Sequence, residues 1–71
     1  MILNLSQITE LKQQLSEQFG VYLHLHDTCG AQYFSFDAPV SMEVQDYIIE
    51  FVHQYGALAQ FSEDQTGLFI K

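Results

Sequence analysis

A pattern that occurs twice constrains this chain more than any other feature. Gln18-Phe19-Gly20 recurs 36 positions later as Gln54-Tyr55-Gly56. An amphipathic segment precedes each glycine, and an alternating apolar stretch follows it. A polar turn ending in glycine comes next (Asp27-Thr28-Cys29-Gly30 and Glu63-Asp64-Gln65-Thr66-Gly67), then a second short apolar run. The unit reads helix, strand, strand, and residues 5–36 and 41–71 each contain one copy. Glycine after an aromatic is also an ordinary helix stop, so the shared order of elements is a firmer inference than duplication.

In the first copy Leu5, Ile8, Leu11, Leu15 and Phe19 step by three or four, which puts them on one helical face. Asn4 or Ser6 can cap that helix, and Gly20 can supply the left-handed conformation that ends it. Val21 to His26 then alternate strictly. Val21, Leu23 and Leu25 fall on one side of this strand, and Tyr22, His24 and His26 on the other. Asp27 to Gly30 has the composition of a tight turn, and Ala31 to Phe36 form the return strand, with Phe34 and Phe36 on the apolar side and Tyr33 and Ser35 beside the histidines.

Pro39 breaks that strand, because proline has no N–H to give a ladder. Ser41 caps a second helix, in which Val44, Tyr47, Ile48, Phe51 and Tyr55 form the expected buried stripe, widened by Ile49 and Val52. Beyond Gly56, Ala57, Ala59 and Phe61 take the places of Val21, Leu23 and Leu25, while Leu58 takes that of Tyr22. Leu68-Phe69-Ile70 closes a second hairpin but is too short to assign its faces.

Residues 1–71 therefore predict a single α+β domain of order αββαββ: a two-layer structure with both helices on one face of a four-stranded antiparallel sheet. Moving the first strand of a ferredoxin-like βαββαβ domain to its end gives the same order, so a permuted ferredoxin-like sheet is the specific expectation. Such a plan leaves the other sheet face open. Tyr22, His24, His26, Tyr33 and Leu58 would lie on it as an interface.

Size and composition favour a partner for that face. A chain of 71 residues buries only about 60% of the surface its unfolded form exposes. With one cysteine it has no internal disulfide to compensate, which fits a reducing cytoplasm. Hydrophobic residues make up 48% of the chain and charged ones 15%, against about 25% charged in typical domains. Too few charges remain to cover the outside, so a homodimer, or burial against another protein, is expected.

The charge is also one-sided. Nine carboxylates stand against Lys12 and Lys71, with no arginine and a net charge of -7. Phosphate backbones and anionic membranes both require clustered cations, so nucleic acid and membrane surfaces are excluded as partners. Met1 to Leu5 has neither a basic region nor a long apolar run, so no signal peptide or spanning segment is expected there and a cytoplasmic location is. Glu43, Asp46 and Glu50 line the outer side of the second helix, where repulsion at these spacings could be relieved by a basic protein. Solvation of an ordinary outer face is the simpler account.

Reactive side chains concentrate in His24-Leu25-His26-Asp27-Thr28-Cys29. His24, His26 and a Cys29 thiolate could together hold zinc, although structural zinc sites usually carry a second ligand pair at fixed spacing. Cys29 and His26 could instead act as nucleophile and base, but no oxyanion hole or substrate pocket is legible beside them. No cofactor and no catalytic activity are therefore expected.

The segment His26-Asp27-Thr28-Cys29-Gly30 resembles a group of small bacterial proteins called the RDAC family, after an Arg-Asp-Ala-Cys tetrapeptide. Asp27 and Cys29 match, whereas His26 stands in place of the arginine and Thr28 in place of the alanine. The resemblance spans a handful of residues and implies that this turn matters. It carries no established activity.

Overall fold

The computed structural model describes residues 3–28 and 31–71. Their elements run α1 (Leu5–Phe19), β1 (Leu23–Thr28), β2 (Ala31–Phe36), α2 (Met42–His53), β3 (Ala59–Phe61) and β4 (Gly67–Ile70). This is the expected αββαββ order and an α+β structure with an antiparallel four-stranded sheet. Both helices pack against the sheet.

Helix α1 begins where Asn4 closes a capping box. Its side chain accepts from the Gln7 N–H at 2.9 Å, and the Gln7 side chain accepts from the Asn4 N–H at 2.9 Å. Leu3 before the cap and Ile8 after it both belong to the core, the two positions a hydrophobic staple uses. Leu3 is fully buried, while Leu5 is 71% exposed. The expectation that Leu5 joins the apolar stripe is corrected accordingly: the chain enters the helix from the core through Leu3, and the first helical residue swings outward.

The two helix ends show why glycine recurs. Gly20 and Gly56 have φ values of 65° and 76°, in the left-handed region. At the end of α2 the Gly56 N–H returns to the His53 carbonyl and the Ala57 N–H to the Val52 carbonyl, the bond pair of a Schellman cap. Ser41 caps the start of α2 by accepting from the Val44 N–H at 3.4 Å.

Between the layers lie Ile8, Leu11 and Leu15 of α1, Val44, Ile48, Phe51 and Val52 of α2, and Leu23, Phe34, Phe36, Leu68 and Ile70 of the sheet. Two residues of the expected α2 stripe lie outside it. Ile49 is 43% exposed and Tyr55 39%, because the buried arc centres on Ile48 and Val52 and Tyr55 follows the last helical turn. Gln45, unforeseen as a core residue, is buried and donates from its side-chain amide to the Val40 carbonyl at 3.0 Å. That bond ties the β2–α2 connection to the helix.

The sheet order is β1-β2-β4-β3. β4 lies between β2 and β3, so the latter two, each antiparallel to β4, run parallel to each other and are joined by α2. Strand β1 starts two residues later than its alternation suggested and continues through Asp27 and Thr28, with Thr28 facing Ala31. The ladder thus takes in Asp27 and Thr28, which the sequence had assigned to the turn. Residues 29 and 30, and with them Cys29, lie outside the described residues.

A pseudo-two-fold is visible in the central register. Tyr33 and Phe69, also 36 positions apart, face each other across β2 and β4, flanked by the pairs Gln32–Ile70 and Phe34–Leu68. The outer strands depart from this symmetry by two residues: Phe34 is paired with Leu25, but Ile70 with Ala59 rather than Phe61. The halves therefore match face for face, but not residue for residue.

The β3–β4 turn is built around Asp64. One of its carboxylate oxygens accepts from the Ser62 hydroxyl at 2.7 Å, the Thr66 hydroxyl at 2.8 Å and the Thr66 N–H at 3.1 Å. The Ser62 bond and then the Thr66 bonds favour the ionised form and push Asp64 down to about 2 from its ordinary 3.8. The turn in turn holds the β2–α2 connection, because Phe36 and Val40 donate to the carbonyls of Thr66 and Gln65.

Two outcomes are expected. Gly56→Ala should destabilise the fold by about 1 kcal/mol, lowering the thermal midpoint by roughly 4–8 °C, because an added Cβ meets no neighbour within 4 Å and only the backbone conformation resists it. Asp64→Asn should be less stable than the parent protein at pH 7. A depressed carboxyl pKa stabilises the fold above its unfolded value and loses that contribution as pH falls through the folded one, so the gap should close between about pH 4 and pH 2. Thermal melts of both proteins across that range measure it.

Candidate functional site

Helices cover one face of the sheet; the other carries two rows of side chains. His26, Tyr33, Phe69 and Gln60 form the first row, each directly opposite the next across β1, β2, β4 and β3. His24, Ser35 and Gly67 form the second. Alternation along the strands explains the composition of both, because the odd residues of β1 and the even residues of β2 and β4 face the helices.

The first row is an aromatic strip. The His26 and Tyr33 rings lie 5.3 Å apart between centroids, and Tyr33 and Phe69 lie 4.8 Å apart at an interplanar angle of 41°. Such contacts contribute about 0.5–1.5 kcal/mol each beyond the area they bury. Tyr33 also leans over Gly67. A Cβ placed there would stand 3.1 Å from the Tyr33 hydroxyl oxygen and 3.2 Å from Ser62 Oγ, so the absence of a side chain at 67 is what seats the ring.

The histidines are held in place as well. His24 Nε2 lies 2.9 Å from Asp37 Oδ1, and His26 Nε2 lies 2.7 Å from Ser35 Oγ. Tyr22 and Leu58 flank the rows just ahead of β1 and β3, at 60% and 65% exposure. Leu58 exchanges two backbone hydrogen bonds with Lys71, both at 2.9 Å, which extends the ladder one pair beyond β3.

The structure thus brings His24, His26 and Tyr33 together on one face and sets Tyr22 and Leu58 at its margins. Phe69, which sequence reasoning left unassigned, lies at the centre. The signal for it was present: the offset of 36 that relates Gly20 to Gly56 also relates Tyr33 to Phe69. Leu25 departs from expectation differently. It belongs to the helix-facing side but is 42% exposed, because β1 is an edge strand and the core cluster takes in Leu23 but not Leu25.

Of the metal set, His24 and His26 share the open face, and Cys29 lies outside the described residues. Among the described residues no three His, Cys, Asp or Glu side chains come together to hold a metal ion. Glu43, Asp46 and Glu50 are exposed on α2, a layer away from the aromatic strip. No helix among the described residues is long and apolar enough to cross a membrane.

Comparison with protein-family models, curated proteins and solved structures returns no match to this chain. The resemblance to the RDAC family rests on the residues of the first hairpin alone.

Gly67→Ala tests the seating of Tyr33 without touching either ring. It should displace the Tyr33 ring resonances in an NMR spectrum and cost about 1 kcal/mol through crowding. Unchanged Tyr33 shifts would mean that the ring does not lie over Gly67.

Proposed function

We propose that this protein is a non-catalytic cytoplasmic interaction module that self-associates through the open sheet face. The observation that carries the reading is the strip His26–Tyr33–Phe69, an aromatic row across the middle of a sheet whose other side is already covered. Tyrosine and phenylalanine are the residues that such contacts favour, since they supply area at little entropic cost.

Charge placement supports a second copy as the occupant. Five of the nine carboxylates are on the helices, at Glu10, Glu17, Glu43, Asp46 and Glu50, and Glu63 and Asp64 are in a turn. Neither row of the open face includes a carboxylate residue; Asp37 reaches its margin and is engaged by His24. Two chains of charge -7 can therefore approach through this face with less repulsion than through any helical surface.

The strand order supports a permuted ferredoxin-like reading of the sheet. In the βαββαβ plan the first strand lies between the third and the last. Moving it to the end of the chain places the final strand between the second and third, where β4 stands here.

Sedimentation equilibrium at high micromolar concentration tests the function. The parent protein should sediment above the monomer mass, and Tyr33→Glu or Phe69→Glu should weaken assembly roughly 30-fold or more, the loss of an anchor worth about 2 kcal/mol. Circular dichroism checks that both variants remain folded. A parent protein that is monomeric, with no response to either substitution, would contradict the reading.

A further inference from the structure

The two edges of the sheet differ. β3 is three residues long, whereas β1 presents six at the opposite edge. Natural sheets keep edges from joining other chains by shortening them or by placing charged side chains, lysine above all, proline or a bulge there. The β1 sequence Leu-His-Leu-His-Asp-Thr contains neither lysine nor proline, its one carboxylate position, Asp27, falls near the strand's end, and its pairing with β2 runs without a bulge.

Which backbone groups face outward follows from the ladder. The Phe36 N–H donates to the Thr66 carbonyl, on the β4 side. Alternation then turns Tyr33 and Ser35 towards β1, and their partners His26 and His24 back towards β2. Leu23, Leu25 and Asp27 are left with N–H and C=O groups directed away from the sheet.

We propose that the β1 edge pairs with the β1 edge of a second copy, antiparallel, about a two-fold axis at Leu25. Pairing must join outward-facing residues on the same side of the sheet, which sets Leu25 opposite Leu25 and Leu23 opposite Asp27, each pair exchanging two hydrogen bonds. This register is self-complementary. It covers the exposed Leu25 with its own counterpart, and it sets His24 opposite His26 on the open side. It also brings the acidic position 27 of one copy opposite Leu23 of the other, a residue that shares a groove of about 430 Å³ with Lys12. One of the two lysines of the chain thus flanks the edge where an incoming acidic residue arrives.

The same pairing enlarges the open face. Two copies joined at β1 present one continuous eight-stranded sheet with twice that face. Combined with face-to-face packing, the assembly is a tetramer of two edge-joined pairs; with face packing alone it is a dimer.

Two variants separate the edge from the face. Leu25→Pro removes a donor that the β1–β2 ladder does not use, the edge position at which proline is tolerated, and Leu25→Lys places a charge on the exposed edge without altering the backbone. Amide hydrogen exchange of Leu25, followed as concentration rises from low to high micromolar, gives the direct readout. In the parent protein the Leu25 amide should slow at least tenfold, and both variants should halve the sedimenting mass of the tetramer while circular dichroism remains unchanged. In Phe69→Glu the Leu25 amide should still gain protection, which keeps failure of the face reading distinct from failure of this one. A Leu25 amide that exchanges freely at every concentration overturns the edge pairing, including the case where that edge serves an extended segment of another protein.

Discussion

The structure depends on β4 being inserted between β2 and β3. Only four residues long, it pairs on both sides and supplies Leu68 and Ile70, both fully excluded from solvent, to the core. Phe34, its neighbour on β2, is equally buried. Loss of these pairings would leave one hairpin and an isolated three-residue strand, and short two-stranded pieces are marginal in water. The inserted strand also reaches beyond the core. Its outward residue Phe69 completes the aromatic strip, and Gly67 at its start makes room for Tyr33.

The same insertion organises the connections. Because β4 lies against β2, the turn that leads into it meets the segment that leaves β2, and Thr66 and Gln65 accept from Phe36 and Val40. Gln45 fixes the other side of that segment from within α2. With one cysteine and so no internal disulfide, the chain ties its strand-to-helix connection down with hydrogen bonds, two to carbonyls of the Asp64 turn and one from a buried amide. Asp64 acts at a distance: it shapes the turn, and the turn positions the loop.

The sequence was most legible where periodicity and glycine coincided. Both helices, the first hairpin and the ends at Gly20 and Gly56 followed from spacing, since a left-handed cap has few alternatives to glycine. Leu5 and Leu25 were misjudged because a repeating pattern carries no information about where a neighbouring element ends. One precedes the core and the other lies at the sheet's edge. Gln45 escaped notice because a polar side chain gives no apolar signal, and its burial depends on a carbonyl five residues away in sequence. Phe69 was hidden by the brevity of β4, and only the offset of the repeat could have assigned it a face.

The proposed role rests on a sheet face whose two rows carry aromatic rings and no carboxylate, while five of the nine carboxylates lie on the helices. The most direct measurement is an isotope-filtered NOE experiment on an equimolar mixture of labelled and unlabelled protein at high micromolar concentration. Contacts between copies should involve the ring protons of Tyr33 and Phe69, with none from the outer side of α2 around Asp46 and Glu50. Intermolecular contacts confined to the helices, or an assembled protein in which both rings remain free of them, would contradict the account.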